Sequence, residues 1–368
     1  MRARISIFLL LVVLGAVVGF SIFRQDNRGT AIPVSPGGGA SSASQTLVNG
    51  YVDDEMLGFA QDPEVAKILR EKYALGLHAE KRGSMEMVSG DAMGQDFLWP
   101  SNVDALRLVK QKHPSASVEP IFKSPIVIYS WDMVTDVLIK LGIVQQWGDS
   151  YYIMDTRKLL GLMDKEVTWD KLGMEFLQNK LFVHCTDPGK TSTGQLFAVL
   201  LADTLTGNRV NDAQKLHAAL PTVKRFFSKQ KLAPASSREL FEAFLTNGMG
   251  DKQLAVGVEA QLIEYSVANP QVLASRHNTV RVLYPRPTAW STHPVIALNS
   301  NARRLAAALK DPQLQELAWR KHGLRSAAGL LNDPQAAAVS GIPATIDDVV
   351  QLPTPAVMQA IENEIEGK

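Results

Sequence analysis

Thr191, Ser192 and Thr193 place three hydroxyls in a row ahead of Gly194, between the apolar run Leu181-Phe182-Val183 and the apolar residues Leu196, Phe197, Leu200 and Leu201. The run is short enough for a buried strand, and the later four are spaced as one face of a helix. The hydroxyls therefore fall at a strand-to-helix turn, with Asp187-Pro188-Gly189 supplying the turn chemistry. Amides in the first helical turn lack internal acceptors and carry about half a unit of positive charge. Hydroxyls gathered there form a cradle for an anion or another polar ligand. The same residue types also serve as a plain helix cap. Gly189-Lys190-Thr191 imitates the end of a phosphate-binding loop, whose pattern needs a glycine five residues before Gly189. His184 stands there, which argues against a P-loop nucleotide hydrolase.

Other residues sit where a ligand could reach them. Trp99, Ser101 and Asn102 lie at a second strand-to-helix junction, where the latter two either face a cleft or cap the helix. Ser124, Tyr129, Ser130 and Trp131 flank the apolar segment Phe122 to Tyr129, with Trp131 suited to packing or to stacking on a ligand. Glu259 and Gln261 end another buried-type strand. A carboxylate there either accepts from a ligand or caps amides, and it weakens the case for a fully anionic ligand. Tyr284, beside Pro285, fits a hinge or a site.

Catalytic chemistry finds little support. The seven histidines have no partner at metal-binding spacing, no G-x-S-x-G occurs, and Cys185 is alone, so neither an internal disulfide nor a cysteine metal site can form. Asp53-Asp54-Glu55 falls at a predicted helix start, where negative charge is stabilising in itself. No cofactor, metal or catalytic residue is expected. A formal net charge of +1 supplies no overall field for nucleic acid or an anionic membrane, so a charged ligand must be recognised locally.

The elements that must position these residues follow from the hydrophobic pattern. Arg2 and Arg4 precede nineteen uncharged, mostly apolar residues, Ile5 to Phe23, long enough to cross a bilayer. A weak cleavage pattern at Gly19-Phe20-Ser21 favours an uncleaved signal anchor over a signal peptide, and either places the body outside the cytoplasm. Residues 24–45 are rich in Gly, Ser, Ala and Pro and read as a flexible linker. Beyond it, strands and helices alternate: a strand at Thr46 to Val52, a helix from Asp53 through Leu69, an extended segment around Leu75 to Val88, and strands at 254–258, 280–284 and 295–298 with helices between. The alternation predicts an α/β fold with mainly parallel sheets flanked by helices.

In this order the motifs resemble the type 2 periplasmic solute-binding proteins, similar to the molybdate-, sulfate- and phosphate-binding proteins of ABC importers. The resemblance is carried by Lys123-Ser124-Pro125-Ile126-Val127-Ile128 as a first crossover, by Thr186-Asp187-Pro188 through Gly194 as a ligand loop, and by Val258 to Tyr265. Val280 to Pro285 looks like the return crossover, and Asp311-Pro312-Gln313-Leu314-Gln315 with His322-Gly323-Leu324-Arg325 like the closing helix. It covers roughly residues 46–330. It implies two lobes, 46–122 plus 285–368 and 123–284, joined by two crossover strands, with a small polar solute, such as an oxyanion, held in the cleft. It also implies delivery to an ABC permease or a membrane signalling partner. The alternative is a sensory or structural tethered module working through protein contacts; a small polar cleft favours the first and a broad apolar one the second.

Overall fold

The computed structural model describes residues 45–368, apart from residues 91, 93, 102, 231–232, 272–279 and 330–331. The anchor and nearly all of the linker lie outside the described residues, as does Asn102. Residues 44–368 form one compact unit. Among the described residues no helix is long and apolar enough to cross a membrane.

The chain opens with β1 (Thr46–Val52), α1 (Asp54–Ala60), α2 (Pro63–Tyr73), β2 (Leu75–Lys81), α3 (Ser84–Ser89), β3 (Phe97–Trp99) and α4 (Val103–Lys112). The long strand β4 (Ser117–Trp131) then leads through α5 (Asp132–Lys140), the hairpin β5 (Val144–Trp147) and β6 (Ser150–Ile153), and α6 (Thr156–Asp164). After β7 (Val183–His184) come three helices, α7 (Ser192–Thr206), α8 (Ala213–Ser228) and α9 (Ser237–Asn247). The rest is β8 (Leu254–Val258), α10 (Glu259–Ala268), β9 (Val280–Pro285), β10 (Trp290–Ala297), α11 (Ser300–Ala308), α12 (Pro312–His322), β11 (Arg325–Ser326) and α13 (Pro355–Glu366).

The expected helix from Asp53 to Leu69 breaks at Asp62-Pro63. Asp62 Oδ1 accepts the Glu64 amide at 2.7 Å, and Pro63, which has no amide hydrogen, fits the first helical position of a new helix. The extended stretch likewise stops at Lys81 and turns helical at Ser84. The sheet order is β2-β1-β3-β10-β4-β9-β6-β5, with β8 and β11 also on β4 and β7 on β8. Parallel pairs (β1 with β2 and β3, β6 with β9, β7 with β8) stand on either side of β4, while β10, β11, β8 and β9 all run antiparallel to it. One strand thus carries both halves of the body: its first part pairs with β10 and its last part with β8 and β9.

Helix α7 is buried on every side from Ser192 to Asp203, as an all-apolar helix in a large core should be. Its outer face is covered by α8 and α13; Gln195 Nε2 donates to Glu362 Oε1 at 2.5 Å. Where β8, β9 and β11 meet, Arg325 donates to Glu259 through Nε (2.6 Å) and Nη2 (2.9 Å), and Tyr284 Oη donates to Glu259 Oε2 at 2.7 Å. Nη1 and Nη2 also donate to the Ala344 and Pro343 carbonyls. Both charges are out of water, and their full set of hydrogen bonds is what makes that tolerable. Arg325→Ala should lower unfolding stability by about 3–5 kcal/mol because Glu259 is left buried and unpaired. Replacing the pair together, Arg325→Met with Glu259→Leu, should cost far less, and urea unfolding of both variants checks this.

Candidate functional site

The turn into α7 folds on itself before it presents anything to a ligand. Thr191 is the N-cap, its Oγ1 accepting the Gly194 amide at 3.0 Å, while Thr186 Oγ1 lies 2.6 Å away. A Cβ on Gly194 would stand 2.7 Å from the Thr186 carbonyl oxygen, so only glycine lets the helix start pack this closely on its own loop. The next two hydroxyls reach across to the first segment of the chain. Ser192 Oγ lies 2.9 Å from Ser101 Oγ, and Thr193 Oγ1 donates to Glu55 Oε1 at 3.4 Å.

On that facing side, Asp53 caps α1 and gathers Ser84: Oδ1 accepts the Glu55 amide at 3.4 Å, and Oδ2 accepts the Ser84 amide at 3.2 Å and its hydroxyl at 2.5 Å. The Ser101 amide donates to Ser84 Oγ at 3.0 Å. A polar chain therefore runs from Asp53 through Ser84 and Ser101 to Ser192. Glu55 closes the inner end. Its Oε2 accepts from Ser291 Oγ at 3.2 Å and lies 3.3 Å from His293 Nε2, with the side chain only 7% exposed. These groups border a cavity of about 230 Å³, lined from one side by 53–55, 81–85 and Ser101 and from the other by 190–193, 235–237 and Glu239.

Burial governs the charge of this inner end. Loss of solvent, reinforced by the Asp53 charge, pushes the Glu55 carboxyl up to about 8, and burial alone pushes the His293 imidazole down to about 3. At neutral pH both are largely uncharged, and neither ring nitrogen of His293 has a hydrogen-bond partner. Burial also raises Asp53, against the opposing hydrogen bonds from Ser84 and the Glu55 amide. Cations stand at the rim: Lys81 pairs with Asp54 at 2.7 Å, and Lys190, largely exposed, with Asp187 at 3.3 Å.

Of the residues singled out from the sequence, the structure brings Ser101, Thr191, Ser192 and Thr193 together. Gly194 serves the close packing of the turn. Trp99 is in the core, stacked on Phe122 with Nε1 donating to the His293 carbonyl. Tyr129 donates to the Val258 carbonyl and packs on Phe241, Trp131 stacks on Phe244, and Ser130 accepts from Thr135. Ser124 Oγ accepts the Ala260 amide at 3.1 Å, and Gln261 Oε1 the Val258 amide at 3.2 Å, so both tie α10 to the strands. Glu259 and Tyr284 belong to the Arg325 cluster. The sequence marks Asp53 and Glu55 only as helix-start charge and His293 only as a histidine without metal spacing, and neither Ser84 nor Ser291 is singled out in it. One signal was present: Ser291 and His293 are two apart in a strand and so share a face.

Other hollows are larger, two of them much so, and the largest of those described shares Asp54 and Lys81 with this site. One of about 700 Å³ lies against Leu57, Phe241 and Tyr265, where Glu264 is already taken by Arg238 and His322. Another of about 600 Å³ lies between residues 208–212 and 348–351.

No protein-family model matches the sequence, and no curated protein matches it significantly. Solved structures do match in three dimensions. Iron-bound HitA from Pseudomonas aeruginosa aligns with a TM-score of 0.54 at 12% identity, over 87% of this chain and 99% of that one. A periplasmic thiamin binding protein gives 0.53 at 11%, over 91% and 99%. The sulfate-binding protein SubI from Mycobacterium tuberculosis H37Rv gives 0.51 at 15%, over 86% and 96%. The chain has the fold of the periplasmic substrate-binding proteins. Within that two-lobed fold these three are an iron-bound, a thiamin-binding and a sulfate-binding protein, so the fold leaves the ligand open.

The buried acid makes a pH prediction. A carboxyl whose folded value lies above its unfolded value binds more protons when folded, so its stabilisation is complete below about pH 4.5 and is lost as pH rises through about 8. Stability should fall by up to roughly 5 kcal/mol across that window through Glu55. Glu55→Gln should flatten this slope and leave the limb below about pH 4.5, where the lowered carboxyls Asp62 and Asp311 and the buried His293 titrate, largely unchanged. Denaturant unfolding at a series of pH values measures both limbs.

Proposed function

We propose that this chain is an extracytoplasmic solute-binding protein that holds a small polar solute between the lobes 46–122 plus 285–368 and 123–284. The apolar run at residues 5–23 would tether it to the cytoplasmic membrane, and residues 24–45 would let the body reach an ABC permease or a signalling partner. One observation carries this reading: hydroxyls from both proposed lobes, Ser84 and Ser101 against Ser192 and Thr193, converge on one small cavity at a helix N-terminus. Such a site lies beyond the ends of strands, where open α/β sheets bind ligands. A pocket of about 230 Å³ into which several hydroxyl and charged side chains reach suits a solute better than a protein side chain array, which is why solute capture is preferred to a purely structural module.

Thr191 and Ser192 separate the two roles of the turn. Thr191→Ala should lower melting stability by about 1 kcal/mol, as the loss of a cap does, with affinity kept. Ser192→Ala should weaken solute binding by about ten- to a hundredfold, the cost of roughly 1.5–3 kcal/mol for a hydrogen bond to a charged group. A thermal-shift screen of the purified full chain against oxyanions, amino acids, amines and sugars supplies the ligand, and calorimetry of the two variants supplies the comparison. Full affinity in Ser192→Ala would place the site elsewhere.

A further inference from the structure

The position that an oxyanion would be expected to take is already filled by the protein. In an anion-binding version of this site, two oxygens would lie against the first turn of α7 and accept from its hydroxyls. Glu55 supplies those oxygens: Oε1 accepts from Thr193 in that turn, and Oε2 from Ser291 on β10. A free oxyanion would have to displace this carboxyl to reach the Thr193 and Ser291 hydroxyls.

The hydroxyls of the lining are partly spent within the protein. The Ser84 hydroxyl hydrogen is spent on Asp53, and one hydrogen of the Ser101–Ser192 contact is spent between those two residues. Acceptors, by contrast, are left over. Asp54, which lines the cavity, has its Oδ2 buried without a hydrogen-bond partner while Oδ1 pairs with Lys81 and, at 3.5 Å, with Arg238, and neutral His293, wholly buried behind Glu55, has one acceptor nitrogen. The bases at the mouth are turned to other partners, Lys81 to Asp54 and Arg82 over the Tyr51 ring at 3.9 Å.

We infer that the cavity takes a small solute that presents a protonated amine to Asp53, Asp54 and Glu55, and that it rejects free oxyanions because Glu55 holds their place. This rests on the solute-binding reading above. An ammonium has three donors and no acceptor, which matches an inner end that has acceptors to spare. Binding an ammonium also favours the ionised form of Glu55, so the carboxyl proton passes to the buffer as the solute enters.

The test is isothermal titration calorimetry on the full chain in mild detergent at pH 7, with 1,4-diaminobutane, 4-aminobutyrate, sulfate and molybdate as probes, repeated in two buffers of different ionisation enthalpy. At least one amine should bind with net proton release, and neither oxyanion should bind. Glu55→Gln, which keeps the shape of the side chain, should weaken the amine tenfold or more with an unchanged circular dichroism spectrum and no proton release. Glu55→Ala should instead admit sulfate, by freeing Thr193 and Ser291. Sulfate or molybdate binding to the unaltered chain, or amine binding that survives Glu55→Gln, would overturn the inference. So would a sugar as the sole ligand found in the wider screen; if its binding is lost in Ser192→Ala, the solute site stands and only the amine is refuted. Binding by no solute of any class would remove both.

Discussion

A carboxyl group held out of water at the amino end of a buried helix is the constraint on which the candidate site depends. Glu55 can reside there because it is largely uncharged at neutral pH and because Thr193 and Ser291 each direct a hydroxyl at it. The first turn of α1 is thereby fixed against the first turn of α7, and Asp53, two residues earlier, is placed to gather Ser84 and Ser101. The same short acidic stretch caps one helix, occupies the amide end of another and forms the floor of the cavity. Charge near a helix start explains only the first of these roles.

The scaffold around it is rigid where the site needs precision. Helix α7 has no solvent face along its first three turns, so its hydroxyl-bearing end cannot drift without opening the core on every side. β4 passes through both halves of the sheet system, and the Glu259–Arg325–Tyr284 cluster binds β8, β9 and β11 together beside it. That cluster uses Glu259 and Tyr284 for cohesion. Their hydrogen-bonding capacity is consumed inside the protein, and a ligand would have to compete with a bidentate guanidinium to reach them.

The α/β character was legible because buried strands and amphipathic helices leave different periods in the sequence, and the hydroxyl turn was legible because Ser and Thr are favoured where a helix begins. Ser236 caps α9 in the same manner as Thr191 caps α7, its Oγ accepting the Glu239 amide. What could not be read was which polar groups meet across the chain. Glu55 and Ser291 are 236 residues apart, and nothing in either neighbourhood marks the other. Aromatic residues beside the crossover, Tyr129 and Trp131, looked as suited to a ligand as to a core; only the packing of Phe241 and Phe244 against them decides. The break at Asp62-Pro63 was written in the sequence as a cap followed by a residue without an amide hydrogen, yet the apolar spacing runs straight through it.

The central claim is the protonation state of one side chain. Carbon-13 NMR of the glutamate side-chain carboxyls, with the Glu55 resonance assigned by its loss in Glu55→Gln, reads that state directly. The account predicts a carboxyl that stays protonated through neutral pH and titrates near pH 8. A Glu55 resonance that titrates in the ordinary carboxylate range, near 4.5, would mean that the group is solvated and charged, and the oxyanion position would not be held in the way described here.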